Sequence, residues 1–224
     1  MKVILMDIEG TMTSIDFVHK TLFPYSTEKI SSFVQENLNL QTVQEALEKV
    51  RATLKEEKQI ETDLQALIAE LLHWIEIDRK HPALKTIQGL LWQKGYEQSE
   101  IFGHVYDDVP QAFKKWTQQG LRLAIYSSGS VLAQKLLLKH SVAGDLTCFI
   151  EDYFDTSVGH KAELTSYKMI AEKLKVSPTE ILFLSDRVEE LAAAKAVGYE
   201  CGHLVREGEV TQGLYTQYTD FSTI

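Results

Sequence analysis

The run Val3–Met6, VILM, is four apolar residues without a polar break, and it leads directly into Asp7 and Glu9, with Gly10 and Thr11 behind them. A strand wet on one face alternates polar and apolar residues, whereas an unbroken run is how a strand covered on both faces reads. Such a strand belongs inside a parallel sheet flanked by helices. Two solvated loop carboxylates would not need an apolar run before them or a Gly-Thr pair after them. Two negative charges brought together where a buried strand runs out ask for a cation or an electrophile.

The rest of the chain has two textures. From about Thr27 to Gln98 the sequence reads almost wholly as amphipathic helix, with Leu64, Leu67, Ile68, Leu71, Leu72 and Ile75 recurring at helical spacing. From about Val105 onward short apolar strands alternate with helices: RLAIYSS then VLAQKLLLKH, EILFLSD then VEELAAAKAVG, and finally ECGHLV. That alternation implies a parallel α/β sheet, and the first strand must join it. The expected organisation is a core of residues 1–13 and 105–224 with an all-helical insertion at 14–104. Pro24, Pro82 and Pro110 fall where elements change, as turns or helix starts do.

Composition narrows the partners. In 224 residues there are 23 Lys and Arg against 32 Asp and Glu, a net charge of −9, which speaks against a nucleic-acid binder that works by neutralising phosphates. No window approaches about 18 consecutive apolar residues, so no membrane partner is expected, and a cytoplasmic location is. Cys148 and Cys201 lie far apart, outside any C-x-x-C pair, and read as core packing rather than as zinc or redox sites. The seven histidines show no ligand spacing. Trp74, Trp92 and Trp116 read as core or interface anchors.

In open parallel sheets the ligand crevice lies beyond the carboxyl ends of the strands, so the residues that follow each strand should converge. After the first strand come Asp7 and Glu9; after LAIY come Ser127, Ser128 and Gly129; after ILFLS comes Asp186, with Glu190 four residues later. The loop TSVGHK delivers Lys161, with His160 before it, to a helix whose expected apolar face is Leu164, Tyr167, Ile170 and Leu174. Carboxylates, hydroxyls and one lysine are the set that phosphoryl transfer needs: a carboxylate to attack, donors for the phosphate oxygens, and neutralisation of the charge that builds up. Two like charges about 4 Å apart cost roughly 4 kcal/mol at an effective dielectric near 20, before a dianionic substrate arrives. A hard divalent cation reverses that sign, and oxygen ligands with no His or Cys cluster favour Mg²⁺ over Zn²⁺.

Each piece alone has a plain explanation. A lone DxE is usually two solvated carboxylates, SSGS is a turn with Ser130 as a helix N-cap, Asp186 can cap a helix, and VEEL can be a wet helix face. The order and position of the pieces, each after a strand, are much harder to explain as packing.

These four stretches resemble the motifs of the haloacid dehalogenase superfamily, whose phosphatases carry them on a Rossmann-like core with an inserted cap. DIEGT in place of the common D-x-D, together with FPY at 23–25, YSSGSVLAQKLLL at 126–138, YFDTSVGHKAELTSYKMIA at 153–171 and ILFLSDRVEELAAA at 181–194, is similar to the enolase-phosphatases of methionine salvage over essentially the whole chain. The resemblance implies that Asp7 is a nucleophile and that Asp7, Asp186 and the backbone carbonyl of Glu9 hold one Mg²⁺ per subunit. It implies that Ser127, Ser128 and Lys161 hold the substrate phosphate, with Gly129, Glu190 and His160 as supporting candidates. It further implies enolisation of 2,3-diketo-5-methylthiopentyl-1-phosphate followed by loss of phosphate to give an acireductone, with Glu9 as a candidate for the proton transfers. The family commonly reads DIEGTTTPI where this chain has DIEGTMTSI, so Met12 and Ser14 stand beside the expected hinge of the cap. A generic sugar or nucleotide phosphatase would share the catalytic residues. A non-catalytic binding protein would be expected to have lost the nucleophile, the lysine or the last carboxylate, and a monomer is the expected state.

Overall fold

A computed structural model describes residues 1–59, 62–208, 210 and 213–224. The chain divides into two compact units, one of Met1–Ile15 with Phe102–Ile224 and one of Asp16–Ile101.

The first unit is built on β1 (Val3–Met6), all four of whose residues are buried. With β2 (Arg122–Tyr126), β3 (Ile150–Phe154), β4 (Ile181–Ser185), β5 (Glu200–Leu204) and β6 (Thr216–Tyr218) it forms a parallel sheet in the order β3-β2-β1-β4-β5-β6. β1 is therefore central, between β2 and β4, and its unbroken apolar run follows from being covered on both faces. Alternate residues point to opposite sides: Val3 and Leu5 join Ala124, Tyr126, Ile181 and Phe183 in a cluster completed by Tyr167, Ile170, Ala171 and Leu174 of the helix Leu164–Leu174 and by Leu191 and Ala194 of the helix Val188–Val197. The helix Asp108–Gln118 packs on β2 and buries Val109, Ala112, Phe113 and Trp116.

Two strands escaped the sequence pattern. β3 reads IEDYF and β6 reads TQY, and both lie at sheet edges, where one neighbour and much of the burial are missing. Edge strands do not need continuous apolar runs. Two side-chain expectations are corrected. Leu164 is exposed, because it opens its helix and only the later turns face the sheet, and Cys148 is exposed in the short 3₁₀ turn Thr147–Phe149. Cys201 is partly buried against the Tyr167 cluster. Trp74 and Trp116 are fully buried, and Trp92 is half-buried with its Nε1 donating to Ser26 Oγ at 2.8 Å.

The second unit holds the helices Phe23–Glu36, Gln41–Lys58, Leu64–Glu76 and Pro82–Glu97. Their apolar stripes meet in one core that includes Ile30, Val34, Val50, Leu67, Leu71, Trp74 and Ile87. Within it the buried Glu70 accepts the Trp74 Nε1–H at 2.7 Å and the Lys58 ammonium at 2.6 Å, so its charge is paired and its oxygens are satisfied. Pro82 occupies the first position of its helix and Pro24 the first turn of its own. Among the described residues no helix is long and apolar enough to cross a membrane.

The packing of the helix Leu164–Leu174 generates a paired test. Ile170→Ala should lower unfolding free energy by about 2–5 kcal/mol through the cavity it leaves, whereas Leu164→Ala should stay within about 0.5 kcal/mol. Urea unfolding of the two variants measures both.

Candidate active site

The sheet register sets where the polar residues emerge. Met6 is level with Ile125 on one side and Leu184 on the other, so the residues after β1, β2 and β4 leave the sheet at one edge. Asp7 stays buried, its backbone N–H donating to Leu184 O at 2.9 Å. The chain then turns tightly, with the N–H groups of Thr11, Met12 and Thr13 all directed to Ile8 O at 2.8–3.1 Å. Gly10 sits in this turn at φ 71°, and a Cβ there would lie 2.4 Å from Asp186 Oδ2. Glycine is needed twice, for the left-handed backbone and for the close approach of the Asp186 carboxylate.

Lys161 reaches the same place from the loop after β3. Its buried ammonium lies 2.5 Å from Asp7 Oδ1 and 2.7 Å from Glu190 Oε2. Three hydroxyls brace the loop through consecutive carbonyls: Tyr126 OH donates to Gly159 O at 3.0 Å, Ser166 Oγ to His160 O at 2.8 Å, and Tyr167 OH to Lys161 O at 2.7 Å. Gly159 has φ 129°, and a Cβ there would lie 2.3 Å from Ser166 Oγ. Neither tyrosine is singled out by a pattern that counts both as apolar, and the only signal was a phenol in a core that must place its hydroxyl.

Ser127 is fully buried, donates to Glu9 Oε2 at 3.0 Å and accepts from the Gly129 N–H at 3.0 Å. Its loop is held by Gln134, also buried, whose amide donates to Gly129 O and Phe154 O, both at 2.8 Å. Ser130 accepts from Ala133 N–H as the N-cap of the helix Val131–Lys139. Asp186 does not cap a helix side chain to backbone; Ser185 Oγ accepts from Arg187 N–H and donates to Glu190 Oε2. His203, which showed no signal in the sequence, contacts Asp186 O through Nε2 at 3.1 Å.

Asp7, Glu9, Ser127, Lys161, Asp186 and Glu190 are thus gathered at one edge of the sheet, with Ser128 partly buried in the loop beside Ser127. His160 is not drawn in: it is exposed, and its Nδ1 accepts from Ala162 N–H in its own loop at 3.2 Å.

Four carboxyl groups surround one ammonium, and the titration of the group reflects it. Burial and then the Asp7 charge push Asp186 up to about 6 and Glu190 up to about 7, with Lys161 opposing in both cases. Glu9 is raised for the same two reasons. Burial would pull Lys161 down, but the Asp7 and Glu190 charges outweigh it and its pKa is raised, so it stays an ammonium. The cluster therefore carries surplus negative charge. Among the described residues no hydrogen-bond donor reaches the buried Asp186 Oδ1, an acceptor oxygen left unsatisfied. Among the described residues no group of three or more His, Cys, Asp and Glu side chains is arranged to enclose a metal ion. Buried oxygen donors with surplus negative charge are the chemistry that fits a hard divalent cation.

A family model for haloacid dehalogenase-like hydrolases matches residues 1–198. Proteins named enolase-phosphatase E1 from Methylococcus capsulatus and Marinobacter nauticus are 44% and 46% identical to this chain, covering all of it and 97% and 96% of their own lengths. This chain belongs to the enolase-phosphatases of the haloacid dehalogenase-like hydrolases. The crystal structure of the UTR4 protein of Saccharomyces cerevisiae superposes with a TM-score of 0.80 at 36% identity, covering 100% of this chain and 99% of that one. An L-2-haloacid dehalogenase from Xanthobacter autotrophicus has the same fold at 19% identity, with a TM-score of 0.55 and coverage of 93% and 79%. Membership makes the chain a phosphatase and implies a divalent metal.

Gly10 supplies the prediction of this site. Gly10→Ala should fold but push the Asp186 carboxylate away, lowering turnover by about a hundredfold, as a misplacement of about 1 Å can do. Steady-state kinetics on protein with an unchanged circular dichroism spectrum would check it.

Proposed function

We propose that this chain is the Mg²⁺-dependent acireductone synthase of methionine salvage: it enolises 2,3-diketo-5-methylthiopentyl-1-phosphate and then removes the phosphate, giving 1,2-dihydroxy-3-keto-5-methylthiopentene. We further propose that it acts as a monomer in the cytoplasm. The observation that carries the reading is the buried ammonium of Lys161 on Asp7 Oδ1, with Glu9 held beside it by Ser127. The name enolase-phosphatase E1, borne by relatives 43–46% identical to this chain, supports an enolisation joined to phosphate removal.

Asp7 is the nucleophile. Its carboxylate oxygen attacks phosphorus, the bond from phosphorus to the substrate oxygen breaks, and a water then attacks the aspartyl phosphate to release inorganic phosphate and restore Asp7. Lys161 orients that carboxylate and, with the hydroxyls of Ser127 and Ser128, binds the transferring phosphoryl oxygens. Its second partner, Glu190, keeps the ammonium in place as charge moves from Asp7 to phosphate. Mg²⁺ bound by Asp7, Asp186 and the Glu9 carbonyl would supply charge neutralisation on the phosphate.

Glu9 carries the protons. Burial and then the Asp7 charge raise its pKa above the ordinary carboxylate range, and its side chain is one methylene longer than the aspartate usual at that position. It protonates the departing substrate oxygen and accepts the proton of the attacking water. It is also the nominated base for enolisation, which needs an acceptor at the carbon that loses its proton.

Asp7→Asn should abolish phosphate release with the fold intact. Glu9→Gln should lower turnover by about two to four orders of magnitude while leaving Mg²⁺ binding largely in place, and Glu9→Asp should be partly active. Chelation with EDTA should remove activity and Mg²⁺ restore it. Assays on the diketone phosphate beside a panel of sugar and nucleotide phosphates check all of these and separate this reading from a broad phosphatase, which would hydrolyse the panel as fast.

A further inference from the structure

The turn that carries Glu9 is anchored from outside at two carbonyls. Met12 O accepts the Tyr106 N–H at 3.0 Å, and Thr11 O accepts the Nε–H of Arg206 at 2.8 Å. Arg206 comes from just beyond β5, and its side chain is only 6% exposed. Its Nη1 donates to both oxygens of Asp108, at 2.8 and 2.9 Å, at the start of the helix Asp108–Gln118. Asp108 Oδ2 also accepts the Phe221 N–H at 2.7 Å. The guanidinium lies over the Tyr106 ring at 4.3 Å and the Phe221 ring at 4.7 Å. One planar cation thus ties the turn to a helix and to the segment near the end of the chain.

We propose that Arg206 is a positioning residue for the reaction, holding the turn Ile8–Thr13 so that Glu9 and its carbonyl keep their place relative to Asp7 and Asp186. The proposal rests on the reading that Asp7 attacks and that this turn supplies a metal ligand. The physical ground is that the turn closes on itself through Ile8 O and is located against the rest of the unit by Ser127 on Glu9, by His104 Nδ1 on Thr13 Oγ1 at 2.8 Å, by Tyr106 N–H on Met12 O, and by one charged donor, Arg206 on Thr11 O. A carbonyl held by a charged, buried and stacked donor has little freedom to move. The arginine fork satisfies Thr11 O and Asp108 at once, which a lysine ammonium cannot do in the same geometry. Arg206 is given no contact with substrate; it acts through Thr11.

Two variants separate positioning from plain structure. Arg206→Lys keeps a cation for Asp108 and gives up the fixed bond to Thr11 O. Its kcat should fall by about ten- to a hundredfold, and the Mg²⁺ concentration for half-maximal activity should rise by a similar factor, as loss of an outer partner of a metal site does. KM for the diketone phosphate should change by less than about threefold, since the phosphate donors are untouched. Without substrate, the rise in Tm that Mg²⁺ produces in the wild-type protein should shrink. Asp108→Asn keeps one oxygen for Arg206 Nη1 but gives up the charge and the second acceptor shared with Phe221 N–H, while the Arg206 bond to Thr11 O stays, so Tm should fall while kcat stays within about threefold.

An Arg206→Lys protein with wild-type kcat and Mg²⁺ half-saturation would overturn the proposal. So would one that does not fold, or an Asp108→Asn protein that loses kcat to the same degree. Full turnover by Asp7→Asn is a different failure, since it removes the nucleophile assignment and leaves the anchoring of the turn standing.

Discussion

The Lys161 ammonium buried between Asp7 and Glu190 is the contact on which the rest of the unit depends. A lysine with no partner in such a place would lose its proton rather than stay charged. It stays charged because two carboxylates within 2.7 Å compensate for burial. That compensation needs three separate strand ends at one level: Asp7 from the end of β1, the Lys161 loop from β3, and Glu190 from the helix after β4. Parallel pairing of β1 with both β2 and β4 provides the level, and the hydroxyls of Tyr126, Ser166 and Tyr167 fix the loop that brings the lysine in.

The same contact explains why the cluster is poised for a cation. One ammonium cannot balance Asp7, Glu9, Asp186 and Glu190, and the excess shows as carboxyls held above their ordinary range. Gly10 lets Asp186 come within touching distance of the backbone beside Glu9, which concentrates the excess at one point. A protein that used these residues only for packing would have no reason to leave a buried oxygen of Asp186 without a donor.

Much of the fold was legible because burial on both faces writes itself into composition: VILM, LAIY and ILFL admit few other readings, and the residues behind them had to share an edge. β3 and β6 were not legible because an edge strand tolerates Glu151, Asp152, Thr216 and Gln217 on its wet sides. Asp7, Glu9, Ser127, Asp186 and Glu190 stood out by their position after strands, and Lys161 by its loop ahead of a helix. Tyr126, Tyr167, Gln134 and His203 did not, since what matters in each is where a single polar atom points, and periodicity carries no record of that. Arg206 was hidden for a related reason. Its partners Thr11, Asp108 and Phe221 are spread over 210 positions of the chain, and only the folded structure puts them around one guanidinium.

The central claim is that Asp7, held by Lys161, takes the phosphoryl group itself. Rapid acid quenching of the enzyme during turnover of the diketone phosphate, followed by mass spectrometry of its peptides, tests this directly. The account predicts one phosphoryl group on the peptide that contains Asp7, formed no more slowly than acireductone appears and absent from Asp7→Asn. Wild-type turnover with no phosphorylated peptide at any quench time, or with the label on another residue, would contradict it.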